Sequence, residues 1–159
     1  LNNERERVVW RYFVEEGGVF KKDDEGELWR VVLQGSEREE GVRCLGLGLA
    51  VSTLAFHQPH YNIGIDAKTY HLTALRILTT QFFRSRVWPR DWDREVIFLS
   101  LYLLTLFDLL KGNKKRARRW MRQGYKVLKR ALKVDDEEGM KLPGCMRVVA
   151  VAFGRLDWI

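Results

Sequence analysis

Between Lys111 and Lys133 the chain carries eleven Lys and Arg residues and no acid, and apolar residues are threaded through them at helical spacing. Ala117, Trp120, Met121, Gly124, Val127, Leu128 and Ala131 recur at i, i+3, i+4 and i+7, so a helix over Lys114 to Lys133 gathers them on one face. Lys115, Arg118, Arg119, Arg122, Lys126, Lys129, Arg130 and Lys133 cover the rest. The apolar stripe has to dock, and the preceding apolar segment, Val96 to Leu110, is its expected partner. The basic surface has to stay solvated or meet anions, because like charges at i, i+4, such as Arg118 and Arg122, repel by about 0.2–0.5 kcal/mol a pair.

The basicity is local. Net charge is +7, yet outside Lys111 to Lys133 the chain has 17 basic against 21 acidic residues. A global argument from isoelectric point would therefore mislead, and the question is what one segment does. Lys115, Arg118, Arg119, Arg122, Lys126, Lys129 and Arg130 are the candidate contacts for an anion or a nucleic acid. Three partners suit them: nucleic-acid phosphates, anionic lipid, or an acidic protein segment. The plainest reading is a solvated face balanced by the chain's own Asp135-Asp-Glu-Glu138, expected in an acidic loop over 134–143. The stripe has no interleaved exposed aromatics, which argues against reading of single strands.

A chain of 159 residues is long enough to bury one core without disulfides or metals, so a single domain over 1–159 is expected. Cys44 and Cys145 lack the paired spacing of a disulfide framework or zinc site, which fits a reducing compartment. The longest apolar run, Val96 to Leu110, is broken by Ser100, Thr105 and Asp108 and falls short of the roughly 20 residues a membrane span needs. No signal-peptide pattern opens the chain. A first residue of Leu1 and an apolar close at Trp158-Ile159 suggest a piece of a longer protein.

The remaining pattern is helical. Val8, Val9, Tyr12 and Phe13 share one face of a helix over Glu4 to Glu16, stopped by Gly17-Gly18. Leu28 to Leu33 reads as a helical turn or two, with Val31-Val32 leaving a brief strand open. Ser36 and Glu39 have capping-box spacing before a buried helix that runs to Phe56, whose Gly46, Gly48, Ala50, Ser52 and Ala55 let another helix approach closely. Gln58 to Gly64 is turn chemistry around Pro59. Asp66 caps a helix with Ala67, Tyr70, His71, Ala74, Leu75, Leu78 and Phe82 on one face, ending before Pro89. Asp91 or Asp93 caps the apolar helix Glu95 to Leu110, expected to be the most buried, and Lys111-Gly-Asn113 turns the chain back into the basic helix. Pro143 suits a first helical turn before Met146 to Leu156, whose valines leave a strand open. The sum is an all-α antiparallel bundle of about six to seven helices.

Positive signs of catalysis are missing. No G-x-S-x-G, Walker loop, H-E-x-x-H or cysteine beside a base occurs. Gly46 and Gly48 resemble the start of a dinucleotide fingerprint, but position 51 is valine and no strand precedes them. His57 and His60, with His71 and Cys44 as further donors, straddle Pro59 and have no partner at a standard metal spacing. Asp91 and Asp93 read as helix caps rather than a catalytic pair. The expectation is no enzyme, no metal and no cofactor. An apolar cavity lined by tryptophans with Phe56, Tyr61, Tyr70 and Phe82 is one route to a small-molecule effector.

The order of segments carries a resemblance. Leu54-Ala-Phe-His-Gln58 is followed by Tyr70-His-Leu-Thr-Ala-Leu75 with Leu78, then by Asp93 to Leu110, a Gly-Asn turn and Trp120-Met-Arg-Gln-Gly-Tyr125-Lys-Val-Leu128. From Val42 to Leu132 this resembles the regulatory (middle homology) domain of fungal binuclear zinc-cluster transcription factors, without the zinc cluster itself. The resemblance implies a nuclear, all-helical, non-catalytic domain that regulates transcription through a protein partner, a homodimer or a small-molecule effector; away from it the expected location is cytoplasmic. Tetratricopeptide-like helix pairs are a structural cousin, but no fixed period appears. The alternative function is a nucleic-acid-binding module that uses the basic helix 114–133.

Overall fold

The computed structural model describes residues 4–16, 27–57, 67–80, 91–138 and 144–156, which form seven helices and no strand. They are α1 (Glu4–Glu16), α2 (Glu27–Arg38), α3 (Glu40–His57), α4 (Ala67–Leu78), α5 (Asp91–Leu110), α6 (Lys114–Glu138) and α7 (Gly144–Gly154). The all-α expectation holds, and both segments left open to strand, at Val31-Val32 and in the valines before Phe153, are helical. Where the sequence reading has one core, the helices fall into two compact units, residues 1–80 and 81–159. The stops at Gly17-Gly18, the turn 58–64, Asp66, Phe82, Pro89 and Pro143 lie outside the described residues.

In the first unit α3 is the hub, packed by α1, α2 and α4. Val9, Val32, Val42, Leu45, Ala74 and Leu78 are fully buried there. α3 comes close to α4 at Gly41, where an added Cβ would lie 2.9 Å from Leu78 Cδ2. Ser36 does not start α3. It sits inside α2, buried, and its hydroxyl donates to the Val32 carbonyl at 2.8 Å, the i−4 bond that a mid-helix serine adopts when its surroundings are apolar. The break falls instead at Glu39, whose N–H still bonds the Gly35 carbonyl. Arg43 reaches back from α3, with Nε donating to the Ser36 carbonyl at 3.0 Å, and so supplies a partner at the C-terminal end of α2.

In the second unit α5 is central. From Val96 to Asp108 nearly every residue is buried, as expected of a helix apolar on all sides. Its polar interruptions are satisfied locally: Ser100 donates to the Val96 carbonyl at 2.6 Å and Thr105 to that of Leu101 at 2.8 Å. The helix begins at Asp91, four residues ahead of Glu95, which places Asp93 inside the first turn rather than at a cap.

The turn after α5 is built as its residues demand. The Asn113 N–H bonds the Asp108 carbonyl at 2.8 Å and the Gly112 N–H that of Leu109 at 3.0 Å, the paired bonds of a Schellman stop. Gly112 takes φ +76°, which L side chains rarely adopt. Asn113 then caps α6, its Oδ1 accepting from the Arg116 N–H at 3.1 Å. Gly112→Ala is expected to cost about 1–2 kcal/mol, the penalty of a Cβ in the left-handed region, read as a lower midpoint in urea unfolding. An unchanged midpoint would mean that the turn relaxes to another geometry.

The acidic loop expected over 134–143 is not a loop at its start. α6 runs on unbroken to Glu138, because no glycine or proline stands between Lys133 and Gly139. Asp135 to Glu138 are therefore an extension of the basic helix itself.

Candidate functional site

All seven candidate cations, Lys115, Arg118, Arg119, Arg122, Lys126, Lys129 and Arg130, are exposed, as is Lys133. At about 100° per residue they fall within an arc of about 120°: Lys115, Arg122, Lys126 and Lys133 run down the middle, Arg118 and Lys129 flank one side, and Arg119 and Arg130 the other. From Lys115 to Lys133 the stripe is about 27 Å long. Arg122 Nε leans back to the Arg118 carbonyl at 3.4 Å. Arg116, which is outside the candidate set, is drawn towards the buried Asp108 carboxylate, 3.9 Å away.

Opposite the arc, Ala117, Gly124 and Ala131 are buried. The apolar stripe has two partners rather than the single one expected. Its N-terminal part docks on α5, where the Trp120 indole N–H donates to Asp108 Oδ2 at 2.7 Å. Gly124, however, faces α7: an added Cβ would lie 2.7 Å from Phe153 Cζ. Phe153 is fully buried, with ring centroids 5.2 Å from Phe98, 5.2 Å from Tyr102 and 5.8 Å from Tyr125. A long-range contact of this kind leaves no trace in the spacing of α6.

The charge order on α6 opposes the stability of the helix. Lys114, Lys115 and Arg116 occupy the first turn and Asp135 to Glu138 the last, the reverse of what the helix dipole favours, at roughly 0.3–1 kcal/mol per misplaced charge near an exposed terminus. Six like-charged i, i+4 pairs, from Lys114 with Arg118 to Lys129 with Lys133, add roughly 1–3 kcal/mol of repulsion.

A second feature lies in the first unit. Glu6, Glu40, Arg43, Cys44, Leu47, Thr69, Tyr70 and Thr73 line a half-open cleft of about 290 Å³ among α1, α3 and α4. Tyr70 donates its hydroxyl to Glu6 Oε1 at 3.1 Å. Burial, and then that bond and the Glu6 charge, raise the Tyr70 phenol above its ordinary 10.0. Burial likewise pushes the Cys44 thiol above 9.0, with Glu40 and Glu6 adding to the rise and Arg43 opposing it. Cys44 is thus a protonated thiol at neutral pH and not an activated nucleophile. Among the described residues, Tyr70 is the one aromatic of those expected to line a cavity that is on this cleft; Trp10, Trp29 and Trp120 are half-buried elsewhere, and the others lie outside the described side chains. Because the cleft is assembled from three helices, no local motif announces it.

Both raised groups favour the folded state while protonated. Their contribution is full below the unfolded-state values, and it is lost as pH rises past 9.0 for Cys44 and then past 10.0 for Tyr70. The melting temperature of the chain is therefore expected to fall on going from about pH 8 to about pH 10.5, and Tyr70→Phe to fall less steeply over the same range. A Tyr70→Phe profile parallel to the parent's would remove Tyr70 from the account.

Of the histidines weighed as ligands, His57 ends α3, His71 is buried on α4, and His60 lies outside the described residues. Among the described residues no three His, Cys, Asp or Glu side chains come together as a metal site, and no helix is long and apolar enough to cross a membrane. Compared with models of protein families, with curated proteins and with solved structures, the chain matches none.

Proposed function

We propose that the chain is a non-enzymatic, transcription-regulatory or protein-interaction domain that acts in the nucleus through a protein partner, a second copy of itself or a small-molecule effector. One observation carries this reading. The helical segments on which the resemblance rests, in α3, α4, α5 and α6, occur as helices in that order, and the Gly-Asn turn closes α5 onto α6 as a tight hairpin. Trp120 and Gly124, two residues of the resembling α6 segment, are the points at which α6 is fixed to α5 and α7. The test is a reporter assay with residues 1–159 fused to a heterologous DNA-binding module, with sedimentation of the purified chain in parallel. The expected result is a several-fold change in reporter output or a concentration-dependent increase in mass. An unchanged reporter together with a monomer at every concentration would sink the proposal.

The second reading, a nucleic-acid-binding module, is favoured by the exposure of all seven candidate cations on one arc of α6.

A further inference from the structure

The cleft among α1, α3 and α4 has a polar floor that its own helices do not use up. Cys44 is 9% exposed and lines it, and among the described residues the thiol, a weak donor and weak acceptor, has no hydrogen-bond partner. Tyr70, buried on α4, fixes the Glu6 carboxylate of α1 through its hydroxyl at 3.1 Å. An ionised carboxylate offers about four acceptor positions, so this bond orients Glu6 without exhausting it. Glu40, exposed at the start of α3, adds a second carboxylate to the lining.

The charges of the cleft do not balance. Glu6 and Glu40 face one guanidinium, that of Arg43, which leaves one net negative charge on the lining. Arg43 is also turned towards the C-terminal end of α2, where Nε donates to the Ser36 carbonyl at 3.0 Å and Nη2 to that of Glu37 at 3.5 Å. At Cys44 the influence of Glu40 exceeds the opposing influence of Arg43, and Glu6 adds to the excess. At Tyr70 the Glu6 charge acts in the same sense. The floor is therefore at negative potential.

Size and donor set narrow the ligand. An anion would meet two carboxylates and the negative end of α2. A bare metal ion lacks a cage, since among the described residues no three His, Cys, Asp or Glu side chains come together. A volume of about 290 Å³ is at the lower edge of small-molecule pockets, which suits a short organic molecule and not a peptide. An ammonium group brings three N–H donors and no acceptor. Carboxylate and hydroxyl oxygens are the matching lining, and Glu6, Glu40, Tyr70, Thr69 and Thr73 supply them, with Leu47 as apolar ground for a short alkyl chain.

We infer that this cleft is a binding site for a small organic monocation, a short-chain primary ammonium compound whose nitrogen is held by Glu6 and Glu40. The inference goes beyond the proposed regulatory role and does not depend on it. Binding is read on the purified chain and that role in the reporter assay, so either can fail alone.

The test is a ¹H–¹⁵N NMR titration of the 159-residue chain with n-butylammonium, n-butanol and n-butyrate at constant ionic strength, three probes of similar length that differ in charge. The n-butylammonium ion is expected to cause saturable shifts centred on the amides of Cys44, Leu47 and Tyr70, with a Kd in the millimolar range set by so small a ligand. The other two probes should leave those amides in place. Glu40→Gln removes an exposed charge and is expected to weaken binding about two- to fivefold. Glu6→Gln removes a half-buried one and should weaken it about tenfold or more. Glu27→Gln, an exposed acid of α2 outside the cleft, should leave the affinity unchanged. Because Glu40 is exposed, its variant is expected to keep the far-UV spectrum and to decide the matter even where Glu6→Gln does not fold. The inference is overturned by any of three results: no saturable shift with n-butylammonium, equal response to n-butanol or n-butyrate, or an affinity untouched by Glu40→Gln.

Discussion

Phe153→Ala is expected to lower the unfolding free energy by about 3–5 kcal/mol, the range for removing a fully buried ring whose site cannot collapse. The ring is held from several sides, by Phe98 and Tyr102 of α5 and by Tyr125 and the bare backbone at Gly124 of α6. The same geometry makes Gly124 a position where alanine, ordinarily the better helix former by about 1 kcal/mol, is the worse residue. Its Cβ would stand 2.7 Å from Cζ and 3.0 Å from Cε2, and Phe98 and Tyr102 restrict the ring's retreat. Overpacking of this kind costs about 1–3 kcal/mol, so Gly124→Ala should destabilise on balance. In a Phe153→Leu background the shorter side chain frees that space, and Gly124→Ala should become neutral or stabilising. Urea unfolding of the four proteins measures this coupling. Additive effects of the two substitutions would mean that the ring is not seated on Gly124.

Local signals and long-range ones were unequally legible in the sequence. The hairpin of α5 and α6 could be read because everything that specifies it is contiguous: an apolar run, a glycine able to take positive φ, an asparagine able to cap, and a helical stripe. The exposed arc followed from the same periodicity, since the face opposite a docked stripe is necessarily in water. Ser36 misled because capping-box spacing is a pattern of residue types, and a serine in apolar surroundings satisfies itself equally well by bonding the carbonyl four residues back. The extent of α6 was misjudged because acids at the end of a helix are unfavourable but do not stop it as glycine or proline would. The partners of Gly41 and Gly124 were illegible for another reason. Close approach depends on which distant side chain arrives, Leu78 in one case and Phe153 in the other, and spacing within one helix has no information on that. The cleft at Glu6, Cys44 and Tyr70 shares this origin, because its walls come from three separate helices.

Asp108 shows how far such a residue can matter, and Trp120→Phe is the substitution that measures it. The carboxylate is almost wholly buried on a helix that is mainly apolar from Val96 onward. Arg116, 3.9 Å away and half exposed, offers a screened attraction of about 0–1 kcal/mol. The indole N–H at 2.7 Å is the shorter and better shielded contact, and a hydrogen bond to a charged group is worth about 1.5–3 kcal/mol. Trp120→Phe keeps an aromatic ring against α5 and removes the donor, so it should cost about that much. Asp108→Leu in the same background removes the stranded charge, and the double variant is expected to be more stable than Trp120→Phe alone. Recovery should be incomplete if the indole also contributes to packing, but the sign is fixed by the chemistry of a buried acceptor. A loss below about 0.5 kcal/mol in Trp120→Phe would show that the carboxylate is satisfied elsewhere. Because the Asp108 backbone carbonyl also accepts the Asn113 N–H, the residue holds the α5 to α6 hairpin at two points. Weakening one should therefore loosen the turn that sets where the basic arc of α6 faces, and the Trp120→Phe chain is expected to lose its cooperative unfolding step in the second unit before its helix content.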